Sequence, residues 1–465
     1  MAVVPDNGGA VARWTQRVTL QREPLAGAFF WLSAFYLVYC ARPEDWIPFL
    51  VYIPLAKISG ICAVLGLLMS AGSKTKRGFR DVPKEGMYLL GIICVMFASA
   101  LLSTIWRGGA FFKTLDFSKV LIAWVLTFMV VTTIARLRRI IFIQSASVVV
   151  ISIVSLLKGR SHPRLEGVIG GIYSNPNDLA FAIVLCLPFC FAFLLRTRSL
   201  PRKLVWGGGM LAMCTALFLT ASRAGFIDLM VTGAVCLWIF GIKGKRVHLV
   251  AGAALAALVL GFAVGGRLKD RILDMSGNDL QNGVDVRAFD SYEQRRYLII
   301  KSLEGIAHYP QGIGLANFEV YSGTWREVHV AYLQIAVEGG IVALVLYLLF
   351  FARGFANLKE LRRIPTTDPE IDLFAGALRG TLVGFIVGAL FAPEAYQYFP
   401  YFAVAYTSVL LAIAKEQQSS NDIPPDSPKQ KRQWSRAETR PAELVPVGGV
   451  VGPSARATAL FRNQR

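Results

Sequence analysis

The chain has 465 residues, of which 54% are hydrophobic and 17% charged, with a mean hydropathy of +0.50 and a formal net charge of +19. Soluble proteins carry about 25% charged residues, and the apolar runs that recur along this chain are long enough to cross a hydrocarbon layer about 30 Å thick. These values exclude an ordinary soluble protein and predict an all-α polytopic membrane protein.

The excess of positive charge lies in alternate short loops and not on one domain. This distribution is typical of membrane topology, so no nucleic-acid partner is expected. All seven cysteines fall within apolar runs, a pattern that indicates neither a disulfide framework nor a cysteine-based metal site. We expect no metal and no other cofactor.

After a cytoplasmic N-terminus, residues 1–24, about twelve transmembrane helices are expected. Their approximate limits are 25–41, 47–70, 87–106, 117–135, 139–157, 178–197, 204–221, 223–242, 248–265, 329–352, 372–392 and 397–415. The seventh and eighth runs touch, so the sequence TASRAG between them predicts a very tight turn, with a single broken helix as the alternative. The membrane domain would then comprise residues 25–265 and 329–415.

Five loops decide the expected orientation of the chain. GSKTKRGFRDVPKEG, ARLRR, RTRSLPRK, KGKR and RGFANLKELRR are rich in lysine and arginine, and each follows an even-numbered span. Because positively charged loops stay in the cytoplasm, both termini are predicted to be cytoplasmic. The loops from odd-numbered to even-numbered spans should face outward.

One outward loop is far longer than the others and covers residues 266–328, between spans nine and ten. In it, Ser291 and Gln294 have capping-box spacing, apolar residues follow at helical intervals, and Tyr309–Pro310 ends the pattern. We predict an amphipathic helix on the outward surface of the membrane, then a glycine-rich turn in GIGLANF. The polar tail, residues 416–465, is predicted to be disordered in the cytoplasm.

The predicted topology places several ionisable groups on the outward face, although they are distant in sequence. They are Arg164, Arg223, Arg295, Arg296 and His329. Each has a simpler interpretation, since an arginine can anchor a helix end at the headgroups and a histidine can begin a helix. The helical spacing does not distinguish Arg295 from Arg296. The alternative to a role in substrate binding for Asn177 is a turn or helix cap within NPND.

Two arginines and a histidine at one membrane face fit an anionic, lipid-linked substrate. Guanidinium groups make paired hydrogen bonds to phosphate oxygens and stabilise the charge that develops on a leaving diphosphate. A histidine can remove the proton of an acceptor hydroxyl. A different class of function, anion transport, would depend on Lys57 and Arg379, which lie within apolar runs.

The segment RRYLIIKSLEGIAHYPQGIGLANF, followed by HVAYLQIAVEGG, resembles the O-antigen ligase and O-antigen polymerase superfamily. The matching residues are Arg295, Pro310, Gly312, Gly314, His329, Tyr332, Leu333, Glu338 and Gly340. The match selects Arg295 over Arg296, and SNPNDLA and SRAG resemble upstream segments of the family. Val330 stands where asparagine is usual, and Ala343 replaces a frequent glycine.

The resemblance implies a membrane-embedded glycosyltransferase that needs no metal. Such an enzyme moves a glycan from undecaprenyl diphosphate to an acceptor at the periplasmic face of the bacterial inner membrane. Arg223 and Arg295 would hold the diphosphate, and His329 would act as base or orient the acceptor. Further candidates for substrate binding are Arg164, Asn177, Arg296 and Tyr332. The acceptor stays open among a lipid A core sugar, a growing polysaccharide (as in a polymerase) and a protein hydroxyl.

Overall fold

A computed structural model describes residues 25–70, 77–158, 164–165, 173, 175–255, 258, 283–324, 326–365 and 368–421. These residues form twelve longer helices and contain no strand. The helices are α1 Ala26–Ala41, α2 Leu55–Met69, α3 Lys84–Leu102, α4 Arg107–Val130, α5 Ile134–Lys158, α6 Pro176–Arg196, α7 Leu200–Thr220, α8 Arg223–Ile242, α9 Gly283–His308, α10 Ala331–Leu361, α11 Pro369–Gly388 and α12 Tyr398–Asn421. Residues 247–255 are also helical, and short helical turns occur at Pro43–Trp46, Pro48–Tyr52, Phe79–Asp81 and Phe318–Ser322.

Within the described residues, eight helices are long and apolar enough to cross a membrane: α3, α5, α6, α7, α8, α10, α11 and α12. This supports a polytopic membrane protein. Helices α1 and α2 are apolar but have 16 and 15 residues, about 24 Å at 1.5 Å per residue. The end of the expected ninth span, from residue 259, lies outside the described residues, so the count of twelve spans stays a prediction.

The second expected span begins later in the structure than predicted. In the run 47–70 the longer α-helix begins only at Leu55, because Pro48 and Pro54 interrupt the preceding segment. Lys57 therefore lies in the first turn of α2 and is exposed. Between α7 and α8 the predicted tight turn is present, at Ala221 with φ of 48°.

The core of the bundle is centred on two helices. In the most apolar stretch, 83% of the residues of α12 and 78% of those of α6 are buried. Aromatic side chains of α12 pack against several neighbours, and Tyr406 donates a hydrogen bond of 2.6 Å to the Gln144 amide oxygen on α5. Because these two helices are covered on nearly all sides, the other helices surround them and keep one face toward the surroundings.

A buried polar cluster joins α3, α10 and α12. The carboxylate of Glu85 accepts hydrogen bonds of 2.6 Å from the Asn357 amide and from the Ser408 hydroxyl. The Nε atom of Arg353 lies 3.7 Å from the second carboxylate oxygen. A buried carboxylate is tolerated when donors and a countercharge surround it, and this cluster links the three helices.

Ion pairs connect three of the lysine- and arginine-rich loops to one end of the bundle. Arg138 and Arg196 both contact Glu370 at the start of α11, at 2.8 and 2.6 Å. Arg77 contacts Glu416 near the end of α12 at 3.0 Å. Glu370 and Glu416 lie at the same end of the bundle, as predicted for loops that share one side of the membrane.

The long loop and the tail differ in part from expectation. Helix α9 begins at Gly283, eight residues before Ser291, so Ser291 is not its N-cap; it ends at His308, directly before Tyr309–Pro310 as predicted. Helix α12 continues to Asn421, past the expected boundary at residue 415. The remainder of the tail, 422–465, and residues 266–282 of the loop lie outside the described residues.

Replacing Asn357 by leucine should destabilise the bundle. The Glu85 carboxylate would lose its amide donor while still buried, which costs about 1–3 kcal/mol. We expect a lower midpoint of thermal unfolding in detergent. Lys359→Leu, at an exposed position of the same helix, serves as the control and should change the midpoint little. An unchanged midpoint for Asn357→Leu would contradict the proposed importance of the cluster.

Candidate functional site

Helix α10 is interrupted at Gly340, which has φ of 84° and ψ of 176°. A continuous helix would separate Tyr332 from Tyr347 by about 22 Å, whereas their ring centroids are 6.3 Å apart. The segment 331–339 therefore folds back beside the beginning of the segment 341–361. The expected single span over 329–352 is wrong on this point, because glycine at positive φ permits a reversal that other residues rarely adopt.

The predicted glycine-rich turn lies directly against this reversal. Gly312 and Gly314 both have positive φ, of 90° and 92°. Ile313 and Gly314 donate backbone hydrogen bonds to the carbonyls of Val337 and Glu338, at 3.0 and 2.9 Å. A Cβ atom at Gly312 would lie 2.5 Å from the Glu338 carbonyl oxygen, so close approach of the two backbones requires glycine there.

Glu338 connects three segments around the reversal. Its carboxylate accepts a hydrogen bond from the Ala316 backbone N–H at 3.0 Å and one from the Tyr396 hydroxyl at 2.6 Å. Its carbonyl also accepts a hydrogen bond from Ser99 of α3, at 2.7 Å. These contacts hold the glycine-rich turn and the α11–α12 connection in place against the residues that follow His329.

The structure brings Arg223, Arg295 and His329 together, and we call this group the cationic site. Arg223 is the first residue of α8, after the N-cap Ser222, whose hydroxyl accepts the Gly225 N–H at 3.1 Å. Arg295 comes from α9, and His329 lies two residues before α10 begins. Three distant segments thus meet at one end of the bundle.

The charges of these groups affect one another's pKa values. Partial desolvation and then the charge of Arg223 lower the pKa of Arg295. Burial, followed by the charges of Arg295 and Arg326, lowers the pKa of His329 to about 4. The His329 Nδ1 atom is buried and has no hydrogen-bond partner among the described residues. The imidazole is therefore neutral at neutral pH and able to accept a proton or a hydrogen bond.

The four further candidates are placed differently. Arg164 donates to the Thr220 carbonyl at 2.9 Å and to the Asn177 side-chain oxygen at 3.1 Å, which places both residues beside the turn that leads to Arg223. Tyr332 donates to the Ile386 carbonyl of α11 at 2.9 Å. Arg295 and Arg296 are both exposed, but Arg296 lies 3.6 Å from Glu293, whereas Arg295 interacts with Arg223. The structure thus separates Arg296 from its neighbour Arg295.

Several charged residues near the site were not identified from the sequence. Arg326, three residues before His329, forms a short hydrogen bond with Gln294 of α9. Glu327 lies close enough to Asp178 for the two charges to interact, and Asp178 is within hydrogen-bond reach of Glu394. The one sequence feature that could have indicated Glu394 is that it is a single acidic residue in the otherwise uncharged loop APEAYQY. Within the described part of the chain, no three His, Cys, Asp or Glu side chains form a possible metal site.

A bundle of apolar helices with a cationic site at one end is typical of a multi-pass membrane protein. Residues 208–348 match the family described as O-antigen ligase. The match includes Arg223, Arg295 and His329 but not Arg164 or Asn177. No curated protein matches the chain.

Gly340→Ala should disturb both the fold and the site. A Cβ atom there would lie 2.6 Å from the Pro310 carbonyl oxygen, and positive φ in a residue other than glycine costs about 1–3 kcal/mol. We expect a clear decrease in the thermal unfolding midpoint. The matched control is Gly208→Ala in α7, where nothing lies within 4 Å of the added atom; this change should leave the midpoint equal or slightly higher.

The titration of His329 is a second prediction. NMR spectra of histidine-labelled protein should show one imidazole with a midpoint near pH 4, absent in His329→Gln, since the pKa of His329 is lowered to about 4. Arg295→Ala should move that midpoint upward, because a repelling charge is removed. A midpoint at the ordinary value of about 6.5 in the unmodified protein would contradict the described surroundings of His329.

Proposed function

We propose that the protein is a glycosyltransferase that moves a glycan from undecaprenyl diphosphate to an acceptor hydroxyl. The observation that carries the proposal is the convergence of Arg223, Arg295 and His329 from three segments. Two guanidinium groups brought near each other repel, so their proximity favours an anionic ligand between them. A diphosphate fits this requirement, because each guanidinium can donate paired hydrogen bonds to phosphate oxygens.

In the proposed transfer reaction, negative charge develops on the leaving diphosphate. As the bond between the sugar anomeric carbon and the phosphate oxygen breaks, the leaving diphosphate takes the electron pair. Arg223 and Arg295 stabilise this growing negative charge from fixed positions. The acceptor hydroxyl oxygen forms the new bond to the anomeric carbon and loses its proton. His329 is neutral, so it can orient this hydroxyl and accept its proton.

The proposed location is the periplasmic face of the bacterial inner membrane, with both termini in the cytoplasm. Its support is the distribution of charge along the bundle. Arg77, Arg138 and Arg196, from positively charged loops, pair with carboxylates at the end opposite the cationic site. Positively charged loops face the cytoplasm, so the cationic site would face outward, where lipid-linked glycans are used.

Anion transport receives less support from the structure. Lys57 is exposed in the first turn of α2, and Arg379 is half-buried near the middle of α11. Transport sites are typically built from broken helices near the membrane midplane. The broken helix here, α10, instead positions its reversal against the loops at the end of the bundle that holds the cationic site.

The adjacent arginines of α9 provide a matched test. Arg295→Ala should lower the transfer rate by about 100-fold or more, because a donor to the developing charge is lost. Arg296→Ala should have nearly the wild-type rate, since its side chain is exposed and paired with Glu293. The assay uses purified protein in lipid vesicles with an undecaprenyl-diphosphate glycan. Mass spectrometry identifies the product with a lipid A core sugar, a polysaccharide or a protein as acceptor.

The same assay tests His329. His329→Ala should lower transfer by about 100-fold or more while the protein keeps its thermal unfolding midpoint. Equal losses in Arg295→Ala and Arg296→Ala, or full transfer by His329→Ala, would contradict the assigned roles. Absence of transfer by the wild-type protein with every acceptor would reject the proposed function itself.

A further inference from the structure

Two carboxyl groups meet beside the cationic site, and we call Asp178 and Glu394 the carboxyl pair. Asp178 lies in the first turn of α6, and Glu394 lies in the connection between α11 and α12. The two side chains are within hydrogen-bond reach of each other. Glu394 is only 2% exposed, and its Oε1 atom has no hydrogen-bond donor among the described residues.

A shared proton accounts for this arrangement. Two ionised carboxylates in contact and away from water repel strongly, so one of them retains a proton. Burial, and next the charge of Asp178, raise the pKa of Glu394 well above its ordinary value. A proton between the two groups lets one carboxyl group donate a hydrogen bond to the other. The pair then carries one negative charge and can take up a second proton.

The carboxyl pair belongs to the same region as His329. The loop that contains Glu394 packs on the segment after His329, since the Ala331 N–H donates to the Ala389 carbonyl at 2.8 Å. Glu327, two residues before His329, interacts electrostatically with both members of the pair. Tyr347 of α10 also faces Glu394.

The His329 imidazole by itself binds a proton weakly. Burial, followed by the charges of Arg295 and Arg326, opposes the imidazolium form and holds its pKa at about 4. A proton taken from an acceptor hydroxyl would therefore need a second, more basic group close by. A carboxyl pair with one net negative charge can accept this proton. The pair lies near Glu327, two residues before His329.

We propose that the Asp178–Glu394 pair is the final holder of the proton that the acceptor hydroxyl loses during glycan transfer. The inference rests on the proposed transferase function. The hydroxyl O–H bond breaks as the new glycosidic bond forms, and the diphosphate departs with the electron pair of the old bond. The proton passes through His329 to the carboxyl pair, which becomes neutral and later releases it to water.

The test compares variants of nearly equal shape. The Asp178→Asn/Glu394→Gln double variant keeps a hydrogen bond between the two side chains but has no carboxylate left to take up the proton. It should lower transfer by about 100-fold at neutral pH, and each single variant, which keeps one carboxylate, should lower it less. Glu394→Asp keeps a carboxyl group and should recover most of the rate. The control is Glu304→Gln on α9, whose carboxylate pairs with Lys301 at 2.8 Å on the surface and should retain full activity.

The pH profile separates a proton-accepting role from a structural one. Wild-type transfer should fall on acidification, as the pair takes up its second proton before the reaction. In Glu394→Gln this decline should shift or vanish. A decrease by the same factor at every pH would mean that the pair only positions the loop and would overturn the proposal. Full activity of the Asp178→Asn/Glu394→Gln double variant would overturn it as well.

An infrared measurement tests the pair without any substrate. The wild-type spectrum at neutral pH should contain a protonated-carboxyl band that is missing from the double variant. If that band is unchanged in the double variant, no proton is shared and the inference fails, even if wild-type protein transfers glycan. If the band is lost but wild-type protein transfers nothing, the proposed transferase function fails and the assigned use of the proton fails with it.

Discussion

The reversal at Gly340 is the constraint on which the candidate site depends. A continuous helix from Ala331 would carry its first turns away from the loops, and His329 would not lie beside the end of α11. The positive φ of Gly340 allows segment 331–339 to fold back, and the backbone of the glycine-rich turn fills the space that a side chain would occupy. Glu338 then holds the arrangement through hydrogen bonds to two separate connections.

The cationic site stores electrostatic repulsion that an anionic ligand would relieve. Arg223 and Arg295 act on each other, and Arg295 acts on His329. At the opposite end of the bundle, arginines are matched by Glu370 and Glu416. The two ends of the bundle therefore differ physically. Paired charges stabilise a fold, whereas like charges that the fold holds close together are typical of a site for a ligand of opposite charge.

Acidic groups complete the region next to this positive charge. The carboxyl pair and Glu327 approach from α6, the α11–α12 connection and the segment before α10. In the proposed reaction, the guanidinium groups would bind the leaving diphosphate on one side, and the carboxyl pair would receive the proton on the other. Such separation matters in a transfer reaction, since the same groups cannot stabilise an anion and act as the base.

Composition and periodicity by themselves determined the all-helical membrane class, most of the helix positions, the glycine-rich turn and the end of α9 at Tyr309–Pro310. The residue motif also selected Arg295 over Arg296, and the structure places these two neighbours in different surroundings. Helical spacing alone could not make that distinction, because both residues have apolar neighbours at helical intervals. Local patterns carry this information since each depends on a few adjacent residues.

The tertiary structure determined three features that no local sequence pattern indicates. The break within α10, the exposed position of Lys57 and the meeting of Asp178 with Glu394 all depend on contacts between distant segments. Hydropathy predicts residues 329–352 as one span, because glycine does not interrupt an apolar run. The backbone of Gly340 nevertheless has a positive φ and reverses the chain there. The carboxyl pair was likewise invisible in sequence, since 216 positions separate its members and only the packing of the α11–α12 connection on α6 brings them into contact.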